Sequence, residues 1–312
     1  MHSYSLIKPA QIPAKILDEI MEHYMFSSGM IAYYEAYSGE DLQLVQVLDS
    51  KQEIIALLPF LKRDDDLSYF GEPTRLWFNK SFLKSEQTAI FKQVIKFLSE
   101  KYIDGKLWLL MPDEFLHLAF GKISSIKTKL FGYVDLSLSD EEIRGGFRKS
   151  YRSLIDWGHK NINLERFDHS NADAEKFKEL RLLHFSSAGR ETRSELSWEL
   201  QYELVSKGHA SFYIGTMSGE AVTGALFLHD KERAFYAISA GRRDLMQTNV
   251  ALSHCLIERS IFDSKALGLK YMEFGDVSVV GCKDLKLTSI NKFKKGFCTS
   301  IKPRLVYEIV LG

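Results

Sequence analysis

One order of elements is written twice in this sequence, about 165 residues apart, and that repetition constrains the fold more than any other feature. In the first copy, DLQLVQVLD (41–49) alternates as a strand does, SKQ (50–52) turns the chain, and EIIALLPFL (53–61) reads as a more buried strand. LSYFG (67–71) is a short third piece. SEQTAIFKQVIKFLSEKY (85–102) carries Ile90, Val94, Phe97 and Leu98 at helical spacing, and DGKLWLLMP (104–112) closes the unit as a strand. The second copy runs HASFYIGTM (209–217), a turn at SGE, EAVTGALFLHD (220–230), RAFYAISAG (233–241), a helix NVALSHCLIERSIFDSKAL (249–267) and a strand LKYMEFG (269–275). Gly219 can take the positive φ a tight hairpin needs, and Gly268 is placed to stop the helix. An amphipathic helix precedes each copy, around residues 13–26 and 172–186.

Tight turns between neighbouring strands predict mixed α/β architecture with mainly antiparallel sheets, not a plain doubly wound sheet. Two copies in 312 residues predict two tandem domains, 1–140 and 141–303. The join falls near SLSDEE (137–142), where Ser139 or Asp140 can cap a helix whose first turn is acidic.

Composition removes several function classes. Lys+Arg and Asp+Glu both number 41, so no general polycation exists to coat nucleic acid, and any anion site must be a local patch. Cys255, Cys282 and Cys298 form no C-x-x-C pair and leave one over, which fits reduced thiols better than a disulfide framework. The nine histidines show no zinc-ligand spacing. MHSYSLIKPAQIPAK lacks the apolar core of a signal peptide, and no apolar run is long enough to span a bilayer; a cytoplasmic protein is expected. Neither a G-x-G-x-x-G nor a P-loop nor a G-x-S-x-G elbow occurs. Cys255 lies inside an amphipathic helix and reads as packing rather than as a nucleophile.

Four groups of residues carry chemistry. Arg144, Arg148 and Arg152 recur every four residues over a helix read at 144–160, widened by Lys149 and Lys160. Such a row suits phosphate oxygens, or is a solvated face balanced by Asp140, Glu141 and Glu142. Leu287, Ile290, Phe293 and Phe297 keep one side of a helix at 283–297 apolar, and Lys292, Lys294 and Lys295 crowd its last turn before Gly296. Lysines there either favour a helix C-terminus or offer an ammonium to a developing oxyanion. Asp276 follows Gly275 at the end of a strand, as a turn former or a site carboxylate. Tyr236 and Ser239 lie on the central strand, where they can bond a ligand; the residue type at Tyr236 favours a core aromatic with its hydroxyl satisfied.

The order hairpin, strand, helix, strand resembles the core of the GNAT acyltransferases. Two such units resemble the FemABX aminoacyltransferases, which add amino acids to bacterial cell-wall precursors. FRKSYRSLIDWGHK (147–160) is similar to the basic helix opening the second Fem domain, residues 235–276 to its strand–helix–strand block, and SINKFKKGF (289–297) to its FK-x-x-F signature. The likeness covers most of residues 141–300. It implies a cytoplasmic bacterial transferase in which Lys294 matches the signature lysine and Phe293 the aromatic before it. It further implies that RLVYEIVLG (304–312) returns as a strand to the first domain.

The acceptor so implied is an amine on a cell-envelope precursor, free or lipid-linked, or on a nucleotide-linked sugar. Asp276 would position or deprotonate it. The donor is an aminoacyl-tRNA or an acyl-CoA, with no tightly bound cofactor and no metal. GNAT enzymes using acetyl-CoA place a glycine-rich loop before the helix of this unit. Here SAGRRDLMQTNVA (239–251) has only Gly241, and Arg242 and Arg243 are left to meet a donor's phosphates. The contrasting reading is a non-catalytic protein of the same fold whose basic helix docks a phosphorylated ligand or RNA.

Overall fold

The computed structural model describes residues 2–80, 82–110, 122–247, 250–279 and 284–312. The elements run β1 (Ser3–Ile7), α1 (Ala14–Ile20), α2 (Ser28–Ser38), β2 (Gln43–Leu48), β3 (Ile54–Arg63), β4 (Asp66–Ser68), β5 (Trp77–Phe78), α3 (Lys84–Lys101), β6 (Lys106–Leu110) and β7 (Ile123–Asp135). They continue with α4 (Asp140–Gly146), α5 (Lys149–Asn161), β8 (Asn163–Phe167), α6 (Ala174–Ala188), α7 (Glu195–Ser206), β9 (Ala210–Met217), β10 (Glu220–His229) and β11 (Arg233–Gly241). The last are α8 (Arg243–Gln247), α9 (His254–Ala266), β12 (Tyr271–Asp276), α10 (Leu285–Lys295) and β13 (Ser300–Val310). Two compact units result, Met1–Lys129 with Arg304–Gly312, and Leu130–Pro303.

In the first unit β1, β2, β3 and β4 pair antiparallel, β4 pairs β6 in parallel, and β6 pairs the end of β13 antiparallel from Val306↔Leu110 to Val310↔Lys106. The helix α3 presents Ile90, Phe91, Val94, Ile95 and Leu98 to Val45, Val47, Leu58 and Phe60 in one buried cluster. That i, i+1, i+4, i+5, i+8 spacing is one face of a 3.6-residue helix.

The second unit repeats the scheme. β8, β9, β10 and β11 are antiparallel, β11 pairs β12 in parallel, and β12 pairs the end of β7 antiparallel. The parallel step needs a crossover, which α9 supplies. Ser218 and Gly219 turn the β9–β10 hairpin at φ 50° and 83°, both left-handed as the favoured two-residue turn demands. Gly268, at φ 78°, ends α9. The architecture is mixed α/β with mainly antiparallel pairing.

Several elements differ from the sequence reading. The helix expected at 13–26 stops at Ile20, and α2 and α7 appear where none was read. The helix expected from Asn249 begins at His254, Asn249 itself lying outside the described residues, as do Cys282 and Lys283. The helix read at 144–160 is two helices. Ser139 and Glu142 form a capping box that starts α4, Gly145 and Gly146 end it, and Phe147 is extended at φ −65°, ψ 146°. Two adjacent glycines cost helix about 1 kcal/mol each, enough to break it there. Among the described residues no helix is long and apolar enough to cross a membrane, and no group of His, Cys, Asp or Glu is arranged to hold a metal ion.

Candidate active site

The candidate site lies in the second unit, where β11 and β12 part. Their parallel ladder runs Arg233↔Tyr271, Ala234↔Met272 and Phe235↔Glu273, and stops, although the strands continue to Gly241 and Asp276. Two irregularities shape this fork. In the β10–β11 ladder Leu226 faces Ile238 but Phe227 faces Tyr236, so Ala237 is an extra residue. A bulge of this kind turns the strand by one position. It brings Tyr236 and Ser239 to one face, which simple alternation would forbid. The β12–β7 ladder is likewise shifted between Glu273 and Gly275, and Gly275 sits at φ 71°.

Lys294 stands in the last turn of α10. Its Nζ lies 6.0 Å from the centroid of the Tyr236 ring, and its half-buried ammonium has no hydrogen bond among the described residues. Burial holds it below the usual lysine range, while the Asp276 carboxylate and Cys298 pull it back up. Burial pushes the Tyr236 phenol up to about 12, opposed by the Ser239 hydroxyl, so Tyr236 is a neutral hydrogen-bond donor or acceptor at physiological pH. Asp276 both makes a turn and faces the site. Its Oδ1 accepts the Ser278 N–H at 2.8 Å, and its other oxygen has no partner among the described residues. Cys298 donates to the Lys294 carbonyl at 3.3 Å, and burial raises its thiol to about 12.

The helix α10 is held by an aromatic cluster. Tyr151, His254, Phe293 and Phe297 meet with ring centroids 4.6–6.0 Å apart. Phe293 thus packs inward against α5 and α9. Tyr151 donates to the Phe293 carbonyl at 3.1 Å. A Cβ on Gly296 would lie 2.3 Å from the Tyr151 ring, so Gly296→Ala is expected to lower stability by about 1–3 kcal/mol, read as a fall in Tm.

The arginine row does not assemble into a clamp. Arg144 Nε donates to Glu258 at 2.8 Å and stacks on Phe262. Arg148 donates to the Lys292 carbonyl at 2.8 Å, tying α10 to the start of α5. Among the described residues Arg152 reaches only the Gly145 carbonyl, at 3.5 Å, and Lys149 is exposed at the start of α5. The break at Gly145–Gly146 is the reason: it takes Arg144 off the helix that carries Arg152. Arg242 is held by Glu220 and Asp244, each at 2.6 Å, and Arg243 lies exposed against the turn at Gly189. Among the described contacts, none brings either arginine to the fork.

One site residue escaped the sequence reading. Asn291 is buried, its Nδ2 donates to the Ser278 carbonyl at 2.6 Å, and its buried Oδ1 has no partner among the described residues. It braces the turn that carries Asp276 from the helix that carries Lys294. The available signal was its spacing: Leu287, Asn291 and Lys294 fall at i, i+4 and i+7.

No family model matches the sequence, and no curated protein matches it closely enough to count as a relative. Solved structures do share the fold. FemX superposes with a TM-score of 0.67 at 11% identity, over 98% of each chain. The C-terminal domain of a candidate lysylphosphatidylglycerol synthetase from Agrobacterium fabrum gives 0.63 at 11% identity, over 95% of this chain and 90% of that one. A tandem GNAT protein from the clavulanic acid biosynthesis pathway gives 0.51 at 11% identity, over 100% and 99%. The chain thus has the FemABX-like tandem GNAT fold.

Proposed function

We propose that the protein transfers an acyl or aminoacyl group from an activated donor to an amine at the β11–β12 fork. The carrying observation is the Lys294 ammonium: half-buried, without a hydrogen bond among the described residues, and backed by Asp276. In the reaction the amine lone pair attacks the donor carbonyl, the N–C bond forms, and the acyl–O or acyl–S bond breaks. The leaving hydroxyl or thiol takes up a proton and the amine gives one up. Charge develops on the carbonyl oxygen, where a preorganised cation is most effective. Asp276 offers its open oxygen to the amine, and Tyr236 and Ser239 offer hydroxyls to the donor. Bringing donor and acceptor together supplies much of the remaining rate.

An ester of an aminoacyl-tRNA is the favoured donor, because Arg242 is committed to Glu220 and Asp244 and the loop lacks the glycines of a pyrophosphate cradle. An acyl-CoA is the second reading, supported by the fold shared with a tandem GNAT protein. The acceptor is an amine on a cell-envelope precursor or amino sugar, a reading supported by the likeness to FemX. Incubation with aminoacyl-tRNAs or acyl-CoAs and candidate amines is expected to produce the mass increase of one acyl group. Folded protein that transfers from neither donor class would overturn the proposal.

The pH profile follows from the same geometry. Lys294 acts as a cation, so activity is present below its pKa and lost above it. Burial lowers that pKa, which puts the alkaline limb of kcat/KM below the ordinary lysine value of about 10.4. Asp276 raises it, so Asp276→Asn is expected to move the limb to still lower pH. A limb that stays in place would remove Asp276 from the electrostatics of Lys294.

A further inference from the structure

The first turns of α10 expose apolar side chains, among them Leu287 and Ile290, which the sequence pattern assigns to a packed face. Leu285 is 83% exposed, Leu287 46% and Ile290 40%. Phe293 and Phe297, later in the pattern, are packed. Leu287, Ile290 and Lys294 fall at i, i+3 and i+7, so the exposed stripe runs along the helix to the ammonium at the fork. Lys286, Lys292 and Lys295 are also exposed on this helix, and none has an acidic partner among the described residues. In the same unit Lys176, Lys178, Lys207, Lys265 and Lys270 are each paired with a carboxylate, whereas Lys149, Lys160 and Lys302 share with the α10 lysines the lack of an acidic partner among the described residues. The helix therefore combines unshielded apolar area with uncompensated positive charge.

We propose that α10 is a membrane-contacting element that seats the second unit on an anionic lipid surface and brings the fork to amine acceptors carried there. The placement of the fork rests on the proposed transfer reaction; the lipid contact does not. Leucine and isoleucine side chains enter the headgroup–acyl boundary while flanking lysines pair with lipid phosphates, the combination that holds interfacial helices. Each lysine near an anionic leaflet strengthens attachment, and salt weakens it. A polynucleotide would satisfy the lysines and leave Leu285, Leu287 and Ile290 in water, so the apolar half of the helix favours lipid.

The test is flotation of the 312-residue protein with phosphatidylglycerol-containing vesicles and with pure phosphatidylcholine vesicles, without any donor. Binding is expected to the anionic vesicles only and to weaken as salt is added. The L285S/L287S/I290S variant is expected to bind at least about tenfold more weakly. K286E/K292E is expected to lose binding as well, and serves as the second probe if the triple variant folds poorly. Lys294→Ala is expected to float like the parent while losing transfer, which separates failure of the lipid contact from failure of the chemistry. Absence of flotation, or equal flotation of the serine variant, would overturn the proposal. So would salt-sensitive tRNA binding that the serine variant retains, in protein that ignores vesicles.

Discussion

Lys294→Ala is expected to lower kcat/KM for acyl transfer by about 10²-fold, the usual cost of removing one preorganised oxyanion donor. The Tm should stay level or rise. Those two results together identify a functional lysine. The ammonium is half-buried without a hydrogen bond among the described residues, and burial depresses its pKa. A cation with a depressed pKa binds its proton less well in the folded state than in the unfolded chain. Its presence therefore costs stability below that pKa, and alanine relieves the cost. A lysine serving only the C-terminus of α10 would behave otherwise: its loss would remove about 0.3–1 kcal/mol of helix-dipole stabilisation and leave the rate unchanged. Steady-state kinetics beside a thermal melt of the same preparation decides between them.

The second large effect concerns stability. Glu258 is 4% exposed and accepts from Arg144 Nε at 2.8 Å and from His159 Nε2 at 2.6 Å. Its partners stand on α4 and α5, and both are substantially exposed. Removing the carboxylate would leave a guanidinium and an imidazole that water can solvate. Removing both partners would leave a buried carboxylate without its ion pair, which costs about 3–5 kcal/mol. The double variant Arg144→Met/His159→Phe is accordingly expected to lose about 3 kcal/mol, read from urea unfolding. Glu258→Gln should lose much less. Equal losses would mean that the exposed partners, not the buried acid, carry the interaction. This pair also explains why Arg144 is not available as a phosphate ligand.

Much of the fold was legible from local pattern. Alternating Val45 and Val47, the helical spacing of Ile90, Val94 and Leu98, and the glycines at 219 and 268 each act within a few residues. Local chemistry decides such features, so the chain states them directly. The same holds for the cap at Ser139 and for Gly296 at the end of α10. The arginine row shows where pattern misleads. Spacing by four places residues on one face only if the helix is continuous, and Gly145–Gly146 interrupts it. Leu287 and Ile290 mislead in the opposite sense, because periodicity predicts an apolar face without saying whether anything covers it.

The candidate site divides in the same way. By itself the sequence determined that two copies of one α/β unit exist, that Lys294 stands in the last turn of a helix, and that Asp276 ends a strand. Each statement depends on periodicity or on neighbours a few residues away. Only the tertiary structure decided that these residues meet. Tyr236 and Ser239 share a face because Ala237 is bulged out against β10, a matter of register with another strand. Asn291 became a brace because its amide reaches the Ser278 carbonyl. Arg144 became structural because Glu258, 114 residues away, is buried beside it. Charge pairing, desolvation and strand register are properties of which distant segments come together, and local sequence carries no measure of them.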